Sequence, residues 1–159
     1  MLASEQVLKW AMRLYPPFLF QGIWTQKFEK SFMGVRVKIC SSIFNRNYNA
    51  SIFGGTIYSA ADPFHVILFH QILKRKGYTI KLWSKHASID FIKPGKCNLY
   101  FSIQLSEENI KEAIQKLDTE GKFIKTFPVQ ITDKDGIIYA MVHNEIYIKN
   151  IIQKKTIST

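Results

Sequence analysis

A glycine pair and one carboxylate stand out in the most apolar stretch of the chain. Gly54-Gly55 lie shortly before Asp62, which is the single acidic residue between Ile52 and Phe69. Glycine allows a backbone N–H to approach a ligand closely, and the first N–H groups of a helix lack partners within it. A carboxylate in apolar surroundings must be paired, protonated or used in chemistry. Asp62 is therefore the first candidate functional residue, and we expect burial to raise its pKa.

Periodic patterns on both sides of this stretch predict the elements that hold it. The stretch is apolar on every face, which predicts one long buried helix over residues 56–76 that Gly77 caps. Ser4 is expected to cap an N-terminal helix that ends near Leu14, and Ser106 to cap an amphipathic helix that ends near Gly121. Alternating apolar and polar residues predict strands over residues 35–44, 83–92, 97–105, 123–132 and 137–148.

These elements predict an α+β fold in which a mostly antiparallel sheet wraps around a long central helix, with an additional N-terminal helix. Residues 83–92 and 97–105 are expected to form a hairpin, because Pro94-Gly95 occupy the central positions of a type II turn. The 159 residues suit one domain spanning 1–159, with a helical arm over residues 1–25 and a frayed tail over residues 150–159.

Composition restricts the function without defining it. The net charge of +10 favours polyanionic partners, but solvated lysines that maintain solubility explain it equally well. No nucleic-acid-binding motif accompanies the charge, so we expect no nucleic-acid partner. Cys40 and Cys97 lack zinc-site spacing, and free thiols together with the absence of a signal peptide predict a cytoplasmic protein. The glycines, Asp62 and Pro63 argue against stable membrane insertion of the apolar stretch.

Residues 47–62, NYNASIFGGTIYSAAD, resemble the signature of PaaI-type acyl-CoA thioesterases, which have the hotdog fold. In that family an Asn precedes a Gly-Gly pair that opens the central helix, and an acid follows. Six residues separate Gly55 from Asp62 here, as they do in the family. Residues 14–23, LYPPFLFQGI, are similar to a less characterised thioesterase-like branch, and this similarity extends over residues 8–148.

The resemblance implies hydrolysis of an acyl-CoA or acyl-carrier thioester without a cofactor, coenzyme A being part of the substrate. Asp62 would be the general base or nucleophile, the Gly55 N–H would stabilise the oxyanion, and Asn47 would hold the water or the carbonyl. Substrate contacts are expected from Phe53, Gly54, Tyr58, Lys85 and His86. The family assembles each site from two subunits, which implies a homodimer or homotetramer in which Asn47 and Asp62 meet across an interface.

Two departures from the family pattern keep a second hypothesis open. Phe53 replaces the His that often precedes the glycine pair, and Pro63 is expected to remove a helical hydrogen bond near Ser59. The alternative function is non-catalytic binding of acyl-CoA or a fatty-acyl group. Asp62 could also simply hydrogen-bond to Tyr58 or to backbone. His65 is expected to be packed or at the surface, and no residue spacing suggests a metal site.

Overall fold

The strands form one antiparallel sheet in the computed structural model, which describes residues 2–151. Its order is β1-β2-β4-β5-β6-β3. The bounds are β1 Ile23–Phe28, β2 Gly34–Ile39, β3 Ile80–Phe91, β4 Leu99–Gln104, β5 Lys122–Thr132 and β6 Ile138–Asn150. The alternation in β2 and β4 is confirmed, since Val35, Val37, Leu99, Phe101 and Ile103 are buried. Strands β4 and β5 are joined through the single pair Tyr100 and Thr132.

Five α-helices accompany the sheet within the described residues. They are α1 Glu5–Leu14, α2 Pro16–Phe20, α3 Gly54–Ala61, α4 Phe64–Arg75 and α5 Glu107–Thr119, and a short 3-10 helix covers Lys30–Phe32. The predicted caps are confirmed: the Ser4 side chain accepts from the Val7 N–H, and the Ser106 side chain accepts from the Asn109 N–H. No helix within residues 2–151 is both long enough and apolar enough to span a membrane.

The prediction of a long central helix is confirmed, and its interruption at Asp62 and Pro63 agrees with the hydrogen bond that the proline was expected to remove. The helix begins at Gly54, breaks at Asp62 and Pro63, and continues as α4. Pro63 has no N–H to donate to the preceding turn. The Asp62 N–H still donates to the Tyr58 carbonyl at 3.1 Å, and the ladder restarts where the Ile67 N–H donates to the Pro63 carbonyl at 2.9 Å.

Phenylalanine rings of the central helix pack against rings on the surrounding strands. The Phe64 ring lies about 6 Å from the rings of Phe28 on β1 and Phe101 on β4. The Phe69 ring lies similarly close to Phe123 and Phe127 on β5. Because these strands lie far apart in the sheet order, the sheet must curve around the helix. The predicted α+β class is therefore confirmed.

The hairpin prediction was wrong. Strand β3 pairs with β6, whereas β4 pairs with β2 and β5. Gly95 lacks the positive φ angle that a type II turn requires. Its carbonyl instead accepts a hydrogen bond from the Ile52 N–H at 2.7 Å. The segment between β3 and β4 thus supports the loop before α3 rather than closing a hairpin.

The strand predicted over residues 35–44 ends at Ile39, because side chains capture the backbone that follows it. The Ser41 N–H donates to Asn98 Oδ1 and the Ser42 N–H donates to Asn45 Oδ1. Strand β1 was not predicted, and it overlaps the end of the arm that the sequence placed at residues 1–25. The predicted frayed tail, residues 150–159, lies outside the described residues from position 152 onward.

Candidate active site

Gly55, Ser59 and Asp62 lie on one face of α3 and its last turn, because residues four and seven positions apart share a helix face. A cavity of about 340 Å³ is lined by Gly55, Ser59 and Phe53. A second cavity of about 390 Å³ is lined by Ser59, Asp62 and Tyr58. Ser59 and Gln21 line both cavities. We refer to the two together as the α3 groove.

The N-terminal arm forms the opposite wall of the α3 groove. Tyr15, Pro17 and Phe18 line the cavity that contains Asp62. Prolines suit the first positions of a helix, where an N–H would be unpaired in any case, so Pro16-Pro17 start α2 directly after α1. Phe18 is buried, and its ring lies 5.9 Å from that of Phe64. This packing fixes the arm against the central helix.

The Asp62 carboxylate is half-buried and lines the groove. It has no hydrogen-bond or ion-pair partner among residues 2–151, and so it makes no bond to Tyr58 or to the backbone there. A carboxylate in this position is neither sealed in the interior nor bound to a structural partner. It remains available to a water molecule or a ligand in the groove.

The start of α3 presents backbone donors. Phe53 is the N-cap residue and provides no side-chain hydrogen bond. The N–H groups of Thr56 and Ile57 both donate to the Phe53 carbonyl, at 2.9 and 3.3 Å. Within the described chain, the N–H groups of Gly54 and Gly55 have no acceptor. These two donors carry the partial positive charge of a helix N-terminus.

Two aromatic rings lie over this pair of glycines. A Cβ atom added at Gly54 would lie 2.8 Å from Cζ of Phe91, and one added at Gly55 would overlap the Phe53 ring. Glycine is therefore required at both positions for the rings to lie this close. Phe53 and Phe91 are both more than half exposed, so either ring can move aside. Phe91, on β3, was not anticipated as a site residue.

Asn47 organises its own loop. Its Oδ1 accepts hydrogen bonds from the N–H groups of Asn49 and Ser51, at 2.9 and 3.2 Å, and from the Ser51 hydroxyl at 3.1 Å. Only the amide Nδ2 is left for a ligand. Asn45, which sequence reasoning missed, lines the Gly55 cavity and is buried. Its amide donates to the carbonyls of Gln21 and Cys40, both at 2.7 Å.

Lys85 and His86 do not line the α3 groove. Both are exposed on β3, where the register shifts between Ser84 and His86. The Lys85 ammonium forms an ion pair with Glu145 at 2.9 Å. Tyr58, Phe53 and Gly55 do line the groove. The structure therefore brings together part of the predicted set and leaves Lys85 and His86 outside it.

Two buried polar side chains lie behind the bend at Asp62. The Asn144 amide on β6 donates to the Ala61 carbonyl at 3.0 Å. His65 stacks on Phe127 with ring centroids 4.8 Å apart, and burial lowers its pKa to about 4. Phe127 and Asn144 are partners in the β5–β6 register. The expectation that His65 is a packed group is confirmed. No spacing pattern in the sequence indicates the Asn144 contact.

Among residues 2–151, no three His, Cys, Asp or Glu side chains lie close enough to hold a metal ion. The groups that the groove presents are the Asp62 carboxylate, the N–H groups of Gly54 and Gly55, and the apolar side chains of its walls.

Comparison with solved structures shows the fold. A Pseudomonas aeruginosa protein of unknown function, called a probable thioesterase, superposes with a TM-score of 0.81 at 18% identity, covering 94% of this chain and 98% of its own. A Haemophilus influenzae thioesterase has a TM-score of 0.68 at 9% identity, with coverages of 98% and 96%. The PaaI protein of the Escherichia coli phenylacetic acid operon has a TM-score of 0.57 at 16% identity, with coverages of 95% and 99%.

No protein with a curated description matches the sequence. A family model, described as a domain of unknown function (DUF4442), matches residues 3–148. The structural neighbours confirm the hotdog fold that the sequence predicted. The chain therefore belongs to the DUF4442 family and has the hotdog fold.

Proposed function

We propose that this protein hydrolyses acyl thioesters, with an acyl-CoA or acyl-carrier thioester as substrate. The observation that carries the proposal is the unpaired Asp62 carboxylate in the α3 groove, on the same helix face as the free N–H of Gly55. The fold that the chain shares with thioesterases supports it. Apolar groove walls from Phe18 and Pro17 suit an acyl chain.

The groups present match the steps of hydrolysis. Asp62 accepts a proton from a water molecule, and the resulting hydroxide attacks the thioester carbonyl. The Gly55 N–H donates to the oxyanion that forms. When the tetrahedral intermediate collapses, the C–S bond breaks, and the thiolate takes the proton to leave as a thiol. The acyl group leaves as a carboxylic acid. Direct attack by Asp62 would instead give an anhydride that water then hydrolyses.

We propose that two copies of the chain form each reaction site. Asp62 follows Gly55 by seven positions of helix, which corresponds to about 10 Å along the axis. A base and an oxyanion donor must each lie within about 3 Å of the reacting atoms. Within one copy, these two groups are too far apart for a carbonyl to contact both directly, and a water molecule would have to bridge the gap to Asp62. In an antiparallel pair of central helices, Gly55 of one copy would face Asp62 of the other, giving two equivalent sites.

The free edge of β3 supports such a pairing. Strand β3 is the last strand of the sheet, and its twelve residues have a neighbour on one side alone, β6. Its exposed Trp83 and Phe91 are unusual for an edge left to solvent. We propose that β3 pairs with its copy in a homodimer, which two such dimers can extend to a tetramer. Asn47 would contribute its Nδ2, and Lys85 and His86 would reach the phosphates of the substrate.

Non-catalytic acyl binding is the second candidate, and a specific observation favours it. Phe53 and Phe91 lie over the glycines that would otherwise meet a thioester carbonyl. If these rings stay in place when a ligand binds, the groove can accept an acyl chain without presenting its carbonyl to the Gly55 N–H. The two functions differ in whether a thiol is released.

A thiol-release assay over short, medium and long acyl-CoAs separates them. The native protein, Asp62→Asn and the control Asp135→Asn are compared, Asp135 being exposed in the β5–β6 turn. Hydrolysis is expected to fall by at least about 100-fold in Asp62→Asn, because a general base typically contributes that much, and to be unchanged in the control. Saturable acyl-CoA binding without thiol release would establish the second function. Absence of both would refute both.

A further inference from the structure

Helix α1 turns an apolar stripe toward solvent. Val7, Trp10 and Leu14 follow the spacing of one helix face and are 58%, 50% and 65% exposed. The opposite face, with Leu8 and Met12, packs against the core. Phe20, at the end of α2 in the same N-terminal arm, is also 72% exposed. Several exposed apolar side chains on one helix face mark a candidate interaction site.

Cations alternate with aromatic rings beside the stripe. The Arg13 guanidinium lies 4.7 Å from the Trp10 ring and 4.3 Å from the Trp24 ring. Trp24 on β1 is directly opposite Lys38 on β2, and the Lys38 ammonium lies 6.0 Å from the Tyr100 ring. Directly opposite residues share one face of a sheet. The row therefore continues from α1 across the outer face of the sheet.

The charge of this region is positive. No Asp or Glu occurs between residues 6 and 28, whereas Lys9, Arg13 and Lys27 do. The flanking carboxylates are engaged: Glu29 pairs with Lys27 at 2.7 Å and with Arg36 at 3.0 Å, and Glu5 accepts from the Ser31 N–H. Lys27 and Arg36 share Glu29 as their partner, so the cations that remain beside the stripe are Lys9 and Arg13 on α1 and Lys38 on β2.

We propose that this surface, formed by Val7, Trp10, Leu14 and Phe20 with the cations Lys9, Arg13 and Lys38, docks on an anionic lipid surface. An amphipathic helix with Trp and Leu on its apolar face and Lys or Arg beside them is suited to lie in the headgroup region of a bilayer. The proposal does not depend on catalysis. Tyr15 and Pro17 of the same arm line the α3 groove, so docking would bring the groove to the membrane.

Charge disfavours a second copy of the chain as the occupant. A two-fold interface brings the same patch of both copies together, and Lys9, Arg13 and Lys38 would then face their own copies. The patch also lies at the β1 end of the sheet, whereas the proposed dimer uses β3 at the other end. It therefore stays free when the β3 edges pair. Anionic headgroups complement both the charge and the apolar stripe.

Vesicle co-sedimentation tests the apolar contribution. The probes are vesicles of phosphatidylcholine alone and vesicles with about one third phosphatidylglycerol. The double variant Leu14→Gln/Phe20→Gln is compared with Ile124→Gln/Ile137→Gln, which removes two exposed apolar side chains elsewhere. The arm variant is expected to lower partitioning onto anionic vesicles by at least about tenfold, and the control to leave it unchanged.

A second pair of variants tests the placement of charge. Lys9→Gln/Lys38→Gln and Lys122→Gln/Lys134→Gln reach the same net charge, but only the first pair alters the arm surface. We expect several-fold weaker binding for the first pair alone. In a Trp83→Phe background the remaining tryptophans are Trp10 and Trp24, and their emission is expected to shift to the blue on anionic vesicles.

Three results would overturn the proposal. The first is no binding to anionic vesicles at moderate salt. The second is equal vesicle binding by each variant of the proposed surface and its control, which would show that binding does not depend on this surface. The third is a smaller oligomer for Leu14→Gln/Phe20→Gln in light scattering, with vesicle binding intact, which would show that a second copy covers the surface.

Discussion

Asn144 offers the sharpest test of how the bend presents Asp62. The substitution Asn144→Leu keeps the side-chain size but removes the amide that donates to the Ala61 carbonyl. Ala61 immediately precedes Asp62 at the break between α3 and α4, where the helical ladder is interrupted. Without the bond, we expect the bend to loosen and the Asp62 carboxylate to lose its fixed position.

The size of the effect follows from burial. Asn144 and Ala61 are both fully buried, so water cannot replace the lost donor. An unsatisfied buried acceptor costs about 1–3 kcal/mol. Leucine also removes Asn144 Oδ1, which has no partner among the described residues, and this offsets part of the cost. A net loss of about 1–2 kcal/mol in the free energy of unfolding corresponds to a melting temperature lower by about 2–8 °C in a domain of this size.

The control is Val142→Ala, at the neighbouring inward-facing position of β6. Val142 is fully buried, and deleting its two methyl groups costs about 2 kcal/mol through lost burial and the cavity left behind. The two variants are thus matched in stability, but only Asn144→Leu changes the Ala61 bond. Amide hydrogen exchange over residues 58–67 should accelerate in Asn144→Leu more than in the control. If the protein is a thioesterase, kcat should fall by about tenfold or more in Asn144→Leu alone.

Equal exchange rates over residues 58–67 in the two variants would refute the positioning role of Asn144. That result would be independent of catalysis, because exchange does not require a substrate. A different result is faster exchange in Asn144→Leu together with no hydrolysis by the native protein. It would support the positioning role of Asn144 and reject the proposed function.

Three further predictions concern stability and the helix start. Burial lowers the His65 pKa from 6.5 to about 4, so the unfolded chain binds more protons between these values. The free energy of unfolding should therefore fall by about 3 kcal/mol as the pH drops from about 6.5 to 4, and urea titrations of His65→Leu should lack this loss. In Gly55→Ala, the added methyl displaces the Phe53 ring, so unfolding free energy should stay equal or rise by up to about 1 kcal/mol while thioester hydrolysis falls. Arg13→Lys should lower the unfolding free energy by about 1–2 kcal/mol, measured in urea, because Arg13 donates to the Thr25 and Gln26 carbonyls at 2.8 and 3.4 Å and contacts two Trp rings.

Each of these predictions has a contradicting outcome. If His65→Leu and the native protein lose the same unfolding free energy as the pH falls from about 6.5 to 4, other groups titrate in this range. Strong destabilisation by Gly55→Ala would show that the Phe53 ring cannot move. An unchanged unfolding midpoint for Arg13→Lys would show that the arm does not depend on the guanidinium.

Local sequence patterns predicted most helices and strands correctly. They failed where contacts between residues distant in sequence determine which strands pair. Ser4 and Ser106 cap their helices as expected, and alternation placed the inward-facing residues of β4 correctly. The hairpin after β3 was wrong because a Pro-Gly pair specifies a bend in the chain but not its partner strand. The Gly95 carbonyl meets Ile52, more than forty positions earlier, and no local pattern encodes that contact.

The residues of the candidate site also fall into those that the sequence could identify and those that it could not. The family signature and the apolar context singled out Asp62 and Gly55, and helical spacing would also have identified Ser59, four residues after Gly55. Phe91 and Asn144 reach the site through the sheet from later in the chain. Their contribution depends on sheet order, which the periodicity of a single sequence leaves open.

Pro63 connects these findings. A proline within a helix costs about 3 kcal/mol or more, and an unpaired, half-buried carboxylate is a second unfavourable feature at the adjacent position. The hydrogen bond from the Asn144 amide to the Ala61 carbonyl offsets part of this cost. The Phe64 ring, at the start of α4, packs against the core rings of Phe28 and Phe101. Local departures of this kind, compensated by distant contacts, are expected at functional sites. The bend at Pro63 thus lies next to the unpaired Asp62 carboxylate, where α3 ends at the groove.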